Sequence, residues 1–212
     1  MPSNKTSILL ILDRSGSMSS LHNDLIGGIN SFIEEQRKLT DECEVSIISF
    51  DNEPEELFWN VPLSFVKTFD VKKDFVPRGS TALYDAIGCG VDKLGEKLAA
   101  LPEEQRPKKV ITVIYTDGEE NASRKVRHSQ IAEKIKHQQE VYNWDFVFLG
   151  ANQDAILTAK NLNINYNSSM TYSASTSGML SSFTGLSMYC SGTRTVGTGY
   201  FSPEIRTAAL AV

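Results

Sequence analysis

Asp13, Ser15 and Ser17 alternate in the stretch Leu12-Asp13-Arg14-Ser15-Gly16-Ser17. One carboxylate and two hydroxyls thus come from a single short loop, with Gly16 easing the turn. Two more stretches offer the same kind of side chain. Gly79-Ser80-Thr81 opens onto a helical pattern, and Thr116-Asp117-Gly118 closes an apolar run. Asp13, Ser15, Ser17, Thr81 and Asp117 together supply two carboxylates and three hydroxyls from three separated loops. Hard oxygen donors without sulfur or imidazole suit a hard cation, Mg2+ or Mn2+. Mg2+ takes near-octahedral geometry and keeps several waters. A site so short of protein charge leaves its metal electrophilic, able to take an anionic oxygen from elsewhere.

Each residue also has a plainer reading. Asp13 and Ser17 could simply cap the helix that follows, as Ser19 or Ser20 could, and Thr81 could cap its own. Glu119 and Glu120 read as first-turn helix acids favoured by the dipole rather than as ligands. His22, His128 and His137 stand apart from any Cys or carboxylate cluster and read as surface or core histidines. Arg124, Lys125, Arg127, His128, Lys134 and Lys136 read as a solvated basic face before an anion or nucleic-acid patch. Trp59 and Trp144 read as packing residues. The coincidence of five oxygen-bearing residues in three loops favours the metal site.

The elements that must carry these loops are legible. Thr6–Leu12, Val45–Phe50, Val110–Tyr115 and Phe146–Leu149 are short apolar runs without polar alternation, the mark of strands buried on both faces of a parallel sheet. Between them lie helical stripes. Leu21, Leu25, Ile29, Phe32 and Ile33 form one, Leu83, Ile87, Val91, Leu94 and Leu98 another, and Ile131 and Ile135 a third. The stretch 55–66, with Pro54 and Pro62 near its ends, reads as an edge strand antiparallel to 45–50. Strand alternating with helix predicts an open α/β sheet with helices on both faces. In such sheets ligands bind beyond the carboxyl ends of the strands, where Asp13 and Asp117 fall.

The 212-residue chain is 41% hydrophobic and 22% charged, ordinary for a globular protein and unlike a disordered, fibrous or membrane-bundle chain. Its net charge of −5 argues against a nucleic-acid binder. Cys43, Cys89 and Cys190 are odd in number and far apart, so buried thiols in a reducing compartment are expected rather than a disulfide framework or zinc site. The apolar run Ile8–Leu12 is too short for a signal peptide or membrane span, which predicts a cytoplasmic protein. Residues 168–199 turn rich in Ser, Thr and Gly. Met179, Phe183, Leu186 and Cys190 still make a helical stripe there. A first domain over 1–168 is therefore expected, followed by a 169–212 segment of one packed amphipathic helix and a flexible end after Ser191.

The pattern Asp13-x-Ser15-x-Ser17, with Thr81 in Gly-Ser-Thr-Ala-Leu and Asp117 in Thr-Asp-Gly-Glu, resembles the metal-ion-dependent adhesion site of von Willebrand factor A domains. The likeness covers roughly residues 5–165. It implies a six-stranded, Rossmann-like sheet, mostly parallel with one antiparallel edge strand. It implies that Ser15, Ser17 and Thr81 touch the metal and that Asp13 and Asp117 act largely through water. It further implies that a partner's Asp or Glu completes the shell. The stretch Phe148–Asp154 looks like that of cytosolic bacterial or phage members, which often work beside AAA+ ATPases or in gene clusters.

Two other function classes compete with a protein-binding module. A phosphoryl-transfer hydrolase of the haloacid dehalogenase type also places an Asp after its first strand. It needs a second Asp two residues on, where this chain has Ser15, and no lysine stands in a matching loop. Neither glycine-rich nucleotide motif occurs. A structural or assembly subunit using the fold without metal has no need of all five site residues.

Overall fold

A computed structural model of the chain describes residues 3–70, 73–151 and 154–211. Six strands form one sheet: β1 (Ser3–Asp13), β2 (Glu42–Phe50), β3 (Pro54–Pro62), β4 (Pro107–Thr116), β5 (Asp145–Ala151) and β6 (Ser169–Tyr172). Their order is β3-β2-β1-β4-β5-β6. All neighbours pair parallel except β2 and β3. The expected mostly parallel sheet with one antiparallel edge is therefore present. The two prolines bound the edge strand, where a missing N–H costs no ladder bond. Inside β3 the register with β2 shifts, and Asn60 takes a left-handed φ of 49° there. Its N–H turns to Ser46 Oγ at 3.0 Å, as a bulge residue's must.

The apolar runs fill both faces. Ile8, Leu10 and Leu12 of β1 face one core, and Leu9 and Ile11 the other. Helices α1 (His22–Arg37), α5 (Thr176–Val196) and α6 (Pro203–Ala209) cover the first face. Helices α2 (Leu83–Ala100), α3 (His128–Tyr142) and α4 (Ala155–Asn161) cover the second. Every residue of the expected α1 stripe is buried, as are Leu83, Ile87, Val91 and Leu94 of α2. Cys43 and Cys190 are buried, but Cys89 lies exposed on α2. No described helix is long and apolar enough to cross a membrane.

The C-terminal fifth departs from expectation. β6 pairs with β5, so residues just beyond 168 complete the sheet instead of following it. The stripe Met179, Phe183, Leu186 and Cys190 is buried, as the spacing predicts. The segment after Ser191 is not a loose end. Helix α5 runs on to Val196, and α6 returns across it, with Phe201 and Ala209 buried. The reason lies in Gly178, Gly185 and Gly192, seven residues apart along α5. A side chain on them would strike Ser173 O at 2.3 Å, Ile205 Cγ2 at 2.6 Å and Thr198 O at 2.9 Å, respectively. Low complexity here is a groove for the returning chain. Asn152 and Gln153 of the Phe148–Asp154 stretch lie outside the described residues.

Candidate metal centre

β1 and β4 lie side by side at the centre of the sheet. β1 is followed by β2 on one side and β4 by β5 on the other, so the strand order reverses between them. The crevice at the carboxyl ends of such strands is where open α/β sheets hold ligands. Asp13 ends β1, Asp117 follows β4, and Thr81 stands just before α2. All five sequence-selected residues meet in this crevice.

A chain of short hydrogen bonds joins four of them. The Ser15 N–H donates to Asp13 Oδ1 at 2.7 Å. The Ser15 and Ser17 hydroxyls are 3.0 Å apart, and Ser17 Oγ donates to Asp117 Oδ1 at 2.7 Å. Thr81 is buried beside them, 3% exposed. It faces the space that Gly118 leaves open: a Cβ there would lie 3.3 Å from Thr81 Oγ1 and 3.6 Å from Ser17 Oγ. Asp13 is fully buried, and burial pushes its carboxyl up to about 6, against hydrogen bonds from Thr116 and Ser15 that favour ionisation. Burial raises Asp117 likewise, opposed by the Ser17 hydroxyl. Among the described residues no cation is paired with either carboxylate.

These features fit a hard divalent cation. The hydroxyls of Ser17 and Thr81, two carboxylates paired with no described cation and a side-chain-free gap at Gly118 converge on one place. Among the described residues there is no cluster of three or more His, Cys, Asp or Glu that could hold a metal. A site here would draw on hydroxyls and two carboxylates, oxygen donors that suit a divalent cation.

The plainer readings of these residues are displaced. Residues 16–20 form a 3-10 turn, and neither it nor α1 has a side-chain cap bond. Ser19 Oγ instead donates to Gly16 O at 2.6 Å. The residue capping α2 is Ala82, not Thr81. No helix begins after Asp117 until His128, so Glu119 and Glu120 are not first-turn acids. Glu120 accepts from the N–H groups of Tyr84, Ala122 and Ser123, clasping its loop to α2. His22 bonds Asp74 O, while His128 and His137 sit edge-on to Tyr84 and Tyr142, all outside the crevice. Lys134 pairs with Asp92, and Lys136 with Glu140. Trp144 is buried against Phe146, and Trp59 lies under Lys93.

Two contributors escaped the spacing argument. Thr116 Oγ1 donates to Asp13 Oδ2 at 2.6 Å, and the Gly118 N–H lies 3.2 Å from the same hydroxyl. A hydroxyl closing an otherwise apolar strand is the signal that marks it. Arg14, inside the motif, is buried and paired with Asp51 at 3.0 Å and Glu55 at 2.5 Å. Burial alone would raise Asp51. The Arg78 hydrogen bond, the Glu53 N–H and the Arg14 charge outweigh it and hold the carboxyl below its ordinary range.

No family model matches the sequence, and no curated protein matches it either. Solved structures do. A von Willebrand factor type A protein from Catenulispora acidiphila superposes with a TM-score of 0.60 at 13% identity, over 90% of this chain and 43% of that one. Proximal thread matrix protein 1 from the mussel byssus, with a zinc-occupied MIDAS motif, matches with a TM-score of 0.55 at 14% identity, over 83% of this chain and 43% of its own. A D319A mutant of the PilB minor pilin from Streptococcus sanguinis matches at 0.60 and 12% identity, over 86% and 60%. The chain thus spans about half the length of the structures it resembles. At these identities the likeness establishes the fold: a six-stranded mixed sheet of von Willebrand factor A type.

Proposed function

We propose that this chain is a metal-dependent protein-binding module. The observation that carries the reading is the convergence of Asp13, Ser15, Ser17, Thr81 and Asp117 on one crevice, with the Thr81 and Ser17 hydroxyls flanking the gap that Gly118 leaves open. Ser15, Ser17 and Thr81 would hold Mg2+ or Mn2+ directly, and Asp13 and Asp117 largely through water. The bound metal would supply an electrophilic position for a carboxylate oxygen of a partner's Asp or Glu. The zinc-occupied motif of the mussel protein supports a divalent ion at this place in the fold.

The chain's own residues favour binding over catalysis. Both oxygens of Asp13 accept hydrogen bonds, from the Ser15 N–H and the Thr116 hydroxyl. A carboxylate pinned in this way is poorly placed to attack phosphorus. The residue two positions on is Ser15, which cannot serve as the general acid that a phosphoryl-transfer enzyme needs there. The partner belongs to the class of proteins that present a carboxylate. We place the module in the cytoplasm, working on an AAA+ ATPase or a protein of its own gene cluster.

Calorimetry on metal-stripped protein tests the site. Mg2+ or Mn2+ should give binding heat at millimolar metal or below, and Asp117→Ala should abolish it. Free glutamate should then bind the metal-loaded protein weakly and the stripped protein not at all. Absence of metal heat in the wild type refutes the reading.

A further inference from the structure

The three ligand-bearing loops are laced to one another in a closed ring. The first and second loops are tied by the Gly16 N–H to Gly79 O at 3.1 Å and by the Arg78 N–H to Arg14 O at 2.9 Å. The third and first are tied by Thr116 Oγ1 to Asp13 and by Ser17 Oγ to Asp117. The second and third meet at Thr81, which is held by Asn121 and, more loosely, by the Ala122 N–H at 3.2 Å from Thr81 O. The Thr81 N–H donates to Asn121 Oδ1 at 2.9 Å, and the Asn121 N–H donates back to Thr81 O at 3.0 Å. Asn121 thus grips both backbone polar groups of the residue whose hydroxyl flanks the Gly118 gap in the crevice. Thr81 needs such a grip. It lies outside α2, so no helical bond fixes it, and its neighbour Ala82 is tied elsewhere, to Asp51 O at 2.8 Å.

Resting on the reading of the site given above, we propose that Asn121 is the positioning residue of the metal centre, holding the Thr81 hydroxyl in register with Asp117. Outer residues that orient ligands typically govern metal affinity by roughly 10–100-fold when removed. The Asn121 side chain acts through its oxygen alone, as an acceptor, while its backbone bond to Thr81 O survives any substitution but proline. Aspartate keeps that acceptor and alanine removes it. Neighbouring Ser123 provides a contrast: it accepts from the Asp85 N–H at 3.1 Å, tying the same loop to α2 without touching Thr81.

The test uses wild type, Asn121→Ala, Asn121→Asp and Ser123→Ala, each titrated with Mn2+ and each examined metal-free by amide exchange at Thr81. The expected result is Mn2+ binding weakened at least about tenfold in Asn121→Ala and held within about threefold of wild type in the other two. Thr81 exchange should quicken in Asn121→Ala alone. Wild-type affinity in Asn121→Ala overturns the proposal, as does failure of Asn121→Asp to restore it or equal weakening by Ser123→Ala. Wild-type protein that takes up no Mn2+, with Thr81 exchange still responding to Asn121→Ala, overturns the metal reading instead and removes the role with it.

Discussion

The Thr116 hydroxyl serves the ends of two strands at once. It donates to buried Asp13 and lies within reach of both the N–H and the C=O of Gly118. Thr116→Val keeps the shape and removes the donor, leaving one oxygen of a fully buried carboxylate unsatisfied. That costs about 1–3 kcal/mol, which urea unfolding in EDTA should read as a lowered midpoint with an unchanged slope. Ser17→Ala behaves differently. Ser17 is exposed, and its bond to Asp117 closes no core. Its metal-free stability should move by under about 1 kcal/mol, while Mn2+ uptake is lost. A drop in the metal-free protein as large as that of Thr116→Val would show that Ser17 has a structural duty. The contrast also shows what sequence can reveal at this scale. Asp13, Ser15, Ser17, Thr81 and Asp117 announce themselves by type and spacing. Thr116 and Asn121 act through bonds to particular atoms of other loops, and no spacing rule encodes those.

The strands were legible because burial on both faces leaves no room for polar alternation, so Ile8–Leu12 and Val110–Tyr115 read as strands at sight. α1 and α2 were legible through their stripes. The chain beyond Ser191 was not, because its packing relies on missing side chains. Gly178, Gly185 and Gly192 carry no hydrophobic signal, yet together they admit the returning chain. Arg206 then fastens that chain, donating to Phe201 O at 3.1 Å, Ser169 O at 2.7 Å and Tyr166 O at 2.7 Å. Truncation after Val196 should therefore destabilise. Loss of Phe201, 3% exposed, accounts for about 1.5–3 kcal/mol by itself. Thermal unfolding of the truncated chain should show a lower midpoint. An unchanged midpoint would mean that α6 adds nothing to the core beneath it.

Across the whole molecule, ion clusters sit at opposite ends of the sheet. At the amino ends of the parallel strands, Glu44 receives Lys5 at 2.6 Å and Lys97 at 3.4 Å. At the carboxyl ends, beside the metal centre, Asp51 receives Arg14 at 3.0 Å and Arg78 at 2.7 Å. For both carboxyls burial pushes upward, yet hydrogen bonds and neighbouring cations prevail and hold them below their ordinary values. A carboxyl lowered on folding stabilises the native state wherever both states are ionised, and loses that contribution as the unfolded chain takes up protons first. For Asp51 the loss begins as pH falls past the ordinary aspartate value of 3.8 and is complete below its lower native value. Asp51→Asn removes the charge at every pH and leaves buried Arg14 with Glu55 as its remaining carboxylate partner. The stability gap between wild type and Asp51→Asn should thus be constant from neutral pH down to about 5 and shrink steadily below about 4. Urea unfolding of both proteins in EDTA across this range measures the gap and keeps metal binding out of the comparison. A gap that widens on acidification would mean that Asp51 is held above its ordinary value, with burial outweighing the two guanidinium groups.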